Sequence, residues 1–172
     1  KKLGVEISEN KKLKECTVNG SANSFKIKKS DLYIDNAGTA MRPLTAALAF
    51  NNGNYKLHGT NRMHERPIKD LVDSLNSIGA KIEYINKNGY PPILINKSNQ
   101  NSNKIYIKGN VSSQFLTSLL LSSTIFSKDD DFEIHVDGNL ISKPYVNITL
   151  KLLKLFNLKI LNINDNVYEI PS

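Results

Sequence analysis

The chain has 172 residues, is 40% hydrophobic and carries a formal net charge of +7, from 23 Lys and Arg against 16 Asp and Glu. That length suffices for one ordinary domain with its own core, no apolar run approaches the ~20 residues of a membrane helix, and no signal-like segment opens the chain. A cytoplasmic protein without membrane contact is expected, and the positive excess favours anionic partners without choosing among nucleic acid, acidic lipid and phosphorylated metabolite.

Many lysines fall in Asn/Lys-rich stretches (11–14, 26–29 and 96–104), which read as loops and exposed strand faces. The single cysteine, Cys16, cannot form an internal disulfide and reads as a small packed side chain. Together with three scattered histidines, His58, His64 and His135, it offers no metal-ligand spacing, and neither metal nor cofactor is expected.

In chain order, Leu3-Gly4-Val5-Glu6-Ile7 resembles the later Ile78-Gly79-Ala80-Lys81-Ile82, with Glu15-Cys16-Thr17-Val18 as a closing strand. Leu32-Tyr33-Ile34 is the next strand. It runs into Asp35-Asn36-Ala37-Gly38-Thr39-Ala40-Met41-Arg42-Pro43 and then the apolar helix of Leu44, Ala46, Ala47, Leu48 and Phe50. Glycine lets a backbone approach a ligand closely, and the free N–H groups of a helix's first turn carry partial positive charge. Thr39 is the expected N-cap of this helix. The strand Tyr55-Lys56-Leu57-His58 and the charged loop Arg62-Met63-His64-Glu65-Arg66 follow. Pro67 then opens a second helix, with Ile68, Leu71, Val72, Leu75 and Ile78 at helical spacing and Gly79 as its left-handed terminator. A strand over 81–85, a polar turn and a closing strand near Tyr90-Pro91-Pro92-Ile93 complete the set.

The same series then recurs. Ile105-Tyr106-Ile107, Val111-Ser112-Ser113-Gln114, Leu116-Thr117-Ser118-Leu119-Leu120, Phe132-Glu133-Ile134-His135 and Ser142-Lys143-Pro144 answer the earlier elements in order. The helix from Pro144 carries Ile148, Leu152, Leu155 and Phe156 on one face, Asn157 replaces the terminating glycine, and strands over 159–163 and 167–170 follow. Each unit reads βαβαββ. Residues 1–20 resemble the tail of a first unit, 21–97 form a second and 98–172 a third. The expected fold class is therefore α/β (α+β), a partial domain of repeated units.

Four constellations occupy equivalent places in the two complete units. The loop Asn36 to Arg42 combines a glycine, a helix start and an arginine, an arrangement suited to an anion or to a plain cap. Ser112, Ser113 and Gln114 can surround a phosphate at the matching helix start, or Ser112 can simply cap it. Arg62 and Arg66 can clamp a carboxylate or phosphate, or Glu65 can pair with one of them in water. Ser142, Lys143 and Tyr145 offer a hydroxyl, an ammonium and an aromatic face, with Tyr145 equally placed to be core.

Taken together, Asn36-Ala37-Gly38-Thr39-Ala40-Met41-Arg42-Pro43-Leu44, Glu65-Arg66-Pro67-Ile68, Val111-Ser112-Ser113-Gln114-Phe115-Leu116 and Ser142-Lys143-Pro144-Tyr145 resemble the 5-enolpyruvylshikimate-3-phosphate synthase family, the shikimate-pathway enzymes targeted by glyphosate. The resemblance spans essentially the whole chain. It implies two similar domains, each of three βαβαββ units about a pseudo-threefold axis, closing over substrates. It further implies that Gly38 and Arg66 serve phosphoenolpyruvate, that Ser112, Ser113 and Ser142 hold shikimate 3-phosphate, that Gln114 touches both and that Tyr145 packs on the shikimate ring. Thr39, Arg42 and Pro43 are expected to shape the loop and helix without direct chemistry.

The implied reaction adds the shikimate 5-hydroxyl to C2 of phosphoenolpyruvate, protonates C3 and expels phosphate. The family's early Lys-Ser and Arg motif would precede Lys1, and its second domain, a partner that carries the acid/base carboxylates, lies outside this sequence. No catalytic residue is assigned here, and turnover by this chain alone is not expected. Asp35 stands where the family usually has glycine, and His64 where it has Lys or Arg. Three alternatives are a UDP-sugar enolpyruvyl transferase of the same fold, a stand-alone binding protein and a basic nucleic-acid-binding module. The last needs aromatics interleaved with Lys and Arg on an exposed sheet, whereas the aromatics here read mainly as core.

Overall fold

The computed structural model describes residues 1–21, 24–127, 130–164 and 166–172. Its first element is an antiparallel hairpin, β1 (Glu6–Asn10) with β2 (Glu15–Asn19), Glu6 standing opposite Asn19. This two-stranded sheet has almost no buried face, so Cys16 is exposed and not packed, contrary to the expectation from its residue type.

Two successive sets of six elements follow. The first is β3 (Lys29–Tyr33), α1 (Gly38–Ala49), β4 (Asn54–His58), α2 (Lys69–Ser77), β5 (Lys81–Tyr84) and β6 (Ile93–Asn96). The second is β7 (Lys104–Lys108), α3 (Ser113–Phe126), β8 (Phe132–Asp137), α4 (Lys143–Leu155), β9 (Leu161–Asn164) and β10 (Val167–Ile170). The sheets have the same order, β3-β4-β6-β5 and β7-β8-β10-β9. In each, the first two strands are parallel and the others antiparallel. The βαβαββ pattern legible in the sequence is thus present twice.

Strand alternation explains the layering. In β7, Ile105 and Ile107 are buried while Lys104, Tyr106 and Lys108 face out, as a sheet with one buried face requires. The helices cover the inner faces. α1 lies along α3, and each helix buries small residues, Ala46 and Ala49 in α1 and Ser118 and Ser122 in α3. Phe50 meets Phe126 edge to face with centroids 5.7 Å apart. α2 lies on both β5 and β7. There the Ser74 hydroxyl donates to the Tyr106 carbonyl at 2.6 Å and Lys108 Nζ sits 3.0 Å from Asp70, so the two sets share one continuous core.

The helix ends follow the terminators read from the sequence. Gly79 (φ +102°) donates to the Asn76 carbonyl and Ala80 to that of Leu75, both at 3.1 Å. Asn157 (φ +59°) and Leu158 repeat the motif on Lys154 and Leu153 at 3.0 Å. The starts differ from expectation. Ala37, not Thr39, occupies the α1 N-cap, because its carbonyl already accepts from Met41 at 2.9 Å; Thr39 lies inside the helix. Pro67 precedes α2 by two residues, since Ile68 donates to the Gly89 carbonyl at 2.9 Å and stays out of helical geometry. Likewise β6 starts only at Ile93, after Pro91 and Pro92, which have no N–H for a ladder.

One expected core face points outward. In α4 the buried positions are Val146, Thr149 and Leu153, and the stripe Ile148, Leu152, Leu155 and Phe156 is exposed. Counted from the two prolines, Leu71 and Leu75 of α2 and Ile78 at its C-cap match Ile148, Leu152 and Leu155, yet Leu71, Leu75 and Ile78 are fully buried. α2 has strands on it, whereas α4 packs mainly on α3. Among the described residues no helix is long and apolar enough to cross a membrane.

Candidate functional site

In each set the parallel strands end side by side, so the loops leaving their carboxyl ends are neighbours. Ile34 donates to the His58 carbonyl at 2.8 Å and Thr60 to that of Asp35 at 3.2 Å. In the second set Gly109 donates to Asp137 at 2.9 Å and Ile141 to Gly109 at 3.1 Å. All four constellations singled out from the sequence lie on these loops or at the helix starts that follow them. Asp35 adopts a left-handed φ of +54°, a conformation that glycine takes without strain and that Asp, with its short polar side chain, tolerates.

Gly38, the first residue of α1, is buried, and Arg66 Nη1 donates to the Asn36 carbonyl at 3.0 Å. A Cβ on Gly38 would collide with Arg42 Nη1 and Arg66 Nη2. The open space above this glycine is therefore taken up by two guanidinium tips. Arg62 is not part of the clamp: it pairs with Glu65 at 2.6 Å, both largely exposed. The second arginine beside Arg66 is Arg42, which was expected only to shape the helix. Arg42 is 6% exposed, donates from Nη2 to the Pro67 carbonyl at 3.1 Å and stands over the Phe115 ring at 5.6 Å. Burial, reinforced by the charge of Arg66, pushes its pKa down to about 10. His64 is held by the Gly59 N–H, which donates to its Nε2 at 3.4 Å.

Ser112 caps α3, its hydroxyl oxygen accepting from the Gln114 N–H at 3.2 Å, so the hydroxyl hydrogen remains available to an acceptor. Ser142 precedes α4 with φ +56° and makes no side-chain cap. Tyr145 is 67% exposed, which removes the core reading for it.

A pocket of about 550 Å³ elsewhere, along α4 and its C-terminal turn, has Leu150 and Lys154 among its lining and touches none of these residues. The relevant cavity, about 530 Å³, brings together Ser112, Ser113, Gln114, Ser142 and Tyr145. Thr39, Thr117 and Thr149 also line it, the last two joined hydroxyl to hydroxyl at 3.2 Å. Those threonines were not singled out as site residues, although Thr117 follows Ser113 and Thr149 follows Tyr145 by one helical turn. Gly38 and Arg66 do not line this cavity. They adjoin it through Thr39, the residue after Gly38.

A family model described as EPSP synthase (3-phosphoshikimate 1-carboxyvinyltransferase) matches residues 1–170. The chain belongs to the EPSP synthase family. It is 48% identical over 159 residues to the 3-phosphoshikimate 1-carboxyvinyltransferase of Janthinobacterium sp. (strain Marseille), covering 92% of this chain and 36% of that protein. It is 49% identical over 172 residues to that of Neisseria meningitidis serogroup C, covering 99% and 39% respectively. The chain thus spans between a third and two fifths of the length of these relatives. A solved EPSP synthase from Acinetobacter baumannii shares the fold, with a TM-score of 0.79 at 22% identity over 99% of this chain and 36% of that one.

One surface of this EPSP synthase-family chain departs from the sequence reading. Tyr33 and Tyr106 are about half exposed, and Tyr106 alternates with Lys104 and Lys108 on the outer face of β7. That is the interleaving a nucleic-acid-binding sheet needs. Here, however, Lys104 pairs with Glu133 at 2.9 Å, Lys108 with Asp70 at 3.0 Å, and the Tyr106 ring packs on His135 with centroids 4.9 Å apart. The hydrogen bond from Lys104, then that from His135, holds the Glu133 carboxyl below its usual range.

Proposed function

We propose that this chain supplies substrate-binding surface to a 3-phosphoshikimate 1-carboxyvinyltransferase, which transfers the carboxyvinyl group of phosphoenolpyruvate to the 5-hydroxyl of shikimate 3-phosphate and releases phosphate. The observation that carries this reading is the 530 Å³ cavity in which Ser112, Ser113, Gln114, Ser142 and Tyr145, drawn from the starts of two separate helices, converge. Three hydroxyls and an amide suit a phosphorylated polyol, and an exposed tyrosine face suits its ring. In this assignment Ser112, Ser113 and Ser142 hold shikimate 3-phosphate and Tyr145 covers the ring. Arg66, at Gly38 beside the cavity, holds phosphoenolpyruvate, and Gln114 touches both substrates.

The chemistry asks for such a surface. The 5-hydroxyl oxygen gives up its proton and bonds to C2 of phosphoenolpyruvate as C3 gains a proton; C3 then loses a proton as the C2–oxygen bond to phosphate breaks, which restores the vinyl double bond and releases phosphate. Both partners are anions, so donors that hold them together without water offset their repulsion. Further segments of the same enzyme complete the cleft, and the reaction takes place in the cytoplasm as a step toward aromatic amino acids. Titration of shikimate 3-phosphate against shikimate, followed at the Ser113 and Gln114 amide resonances, tests the assignment. Saturable shifts with the phosphorylated compound alone are expected, and equal response to both, or to neither, overturns it.

A further inference from the structure

Arg42 is an uneconomical way to fasten a helix. Its link to the Pro67 carbonyl uses Nη2 alone, while Nε and Nη1 are buried and have no hydrogen-bond partner among the described residues. No carboxylate lies within ion-pair distance of it among those residues; the charged group that bears on it is Arg66, of the same sign. Polar groups sealed from water are normally paired, and a buried cation without a counter-charge is costly. An apolar side chain of similar length would fill the same space against Phe115 without that cost.

The position of the group suggests what the charge is for. Arg42 Nη1 and Arg66 Nη2 both reach the spot where a Gly38 side chain would begin. Nη1 of Arg42 is itself covered and the Gly38 N–H already donates to the Asn36 carbonyl at 3.1 Å, so a ligand meets Arg66 and the exposed Thr39 and not Arg42. A charge held behind those donors in a medium that screens poorly acts on a bound anion more strongly than any exposed lysine does. It also limits where the Arg66 tip can rest, leaving it against the Asn36 carbonyl.

We infer that Arg42 is a positioning residue for a doubly charged oxyanion bound at Gly38 and Arg66, fixing the Arg66 guanidinium and supplying a buried positive charge that only the bound anion neutralises. This rests on the anion-binding role proposed above for Arg66. It differs from a purely structural role in three ways: the effect grows with ligand charge, lysine substitutes for arginine, and loss of the charge does not cost stability.

The test uses the chain labelled with ¹⁵N, following the Gly38 amide and the Arg66 Nε–H during titration with sodium sulfate or sodium acetate at fixed ionic strength and neutral pH. In Arg42→Met, sulfate binding is expected to weaken about tenfold and acetate binding by less than about threefold, with the melting temperature unchanged or raised. Arg42→Lys, which keeps a positive charge behind Arg66 at neutral pH, is expected to keep sulfate binding within about threefold of the parent. Arg42→Gln retains a donor for Pro67 and is read in the same way should the methionine variant misfold. Sulfate affinity unchanged in Arg42→Met and Arg42→Gln overturns the inference, and so does an equal loss for both anions accompanied by a lower melting temperature. Absence of any shift in the parent chain with either anion removes instead the underlying Arg66 site.

Discussion

Arg66 lies across Gly38, its Nη2 filling the space where any side chain at that position would begin and its Nη1 bonded to the Asn36 carbonyl at 3.0 Å. The glycine is needed for this contact and not for its backbone, since its φ is not among the positive values. Gly38→Ala therefore leaves the helix intact, alanine being the better helix former by up to ~1 kcal/mol. The added methyl displaces the Arg66 tip from its place against Asn36 and presses on the buried tip of Arg42. Calorimetry is expected to show stability within about 1 kcal/mol of the parent, and titration to show about tenfold or greater loss of phosphoenolpyruvate affinity. Retained affinity would take Arg66 out of that ligand's site.

Ser112 has two claims on its hydroxyl group. The oxygen caps α3 through Gln114, while the hydrogen is free to donate into the cavity. Ser112→Ala is expected to lower stability by about 1 kcal/mol through the lost cap. It should also weaken shikimate 3-phosphate well beyond any effect on shikimate, as measured by parallel titrations of the two. Equal losses would mean that capping is all the residue does.

What was legible in the sequence depended on whether the cause was local. Gly79 and Asn157 mark helix ends because left-handed geometry is a property of one residue, and the two βαβαββ sets were visible because their periodicities repeat. Thr39 and Pro67 misled because the Ala37 carbonyl and the Gly89 carbonyl, not the residue types nearby, settle where α1 and α2 start. Of the site, Ser112, Ser113, Gln114, Ser142 and Tyr145 could be picked out as residues at helix starts and do share a cavity. The meeting of Arg42 with Arg66 could not, because it needs α1 and the loop before α2 to be superposed in space. The pairing of Arg62 with Glu65, three residues apart, was an available reading all along.

Leu75 and Leu152 hold the same place in α2 and α4, yet Leu75 is fully buried and Leu152 is 45% exposed. Periodicity locates an apolar face without saying what covers it. Leu75→Ala removes packed methyl groups beneath β5 and β7 and is expected to cost about 2–5 kcal/mol, whereas Leu152→Ala should cost less than about 1 kcal/mol. Urea unfolding of the two variants side by side checks this. Similar losses would show that the α4 face is covered in solution.

Tyr84 carries a buried hydroxyl with no hydrogen-bond partner among the described residues. Burial, then the charges of Asp73 and Asp70, push its pKa up to about 12, against an ordinary value near 10. Between those values the unfolded chain has lost the phenolic proton while the folded chain still binds it, so raising the pH from about 10 to about 12 favours unfolding. Tyr84→Phe removes both burdens. The variant is expected to be about 1 kcal/mol more stable than the parent at neutral pH, because an unsatisfied hydroxyl is gone. That advantage should widen as pH climbs above 10, where only the parent suffers the tyrosine's ionisation. Denaturant unfolding of both proteins at pH 7, 9.5 and 11 separates the two contributions: a constant gap would mean that Tyr84 titrates normally, and no gap at neutral pH would mean that water reaches its hydroxyl.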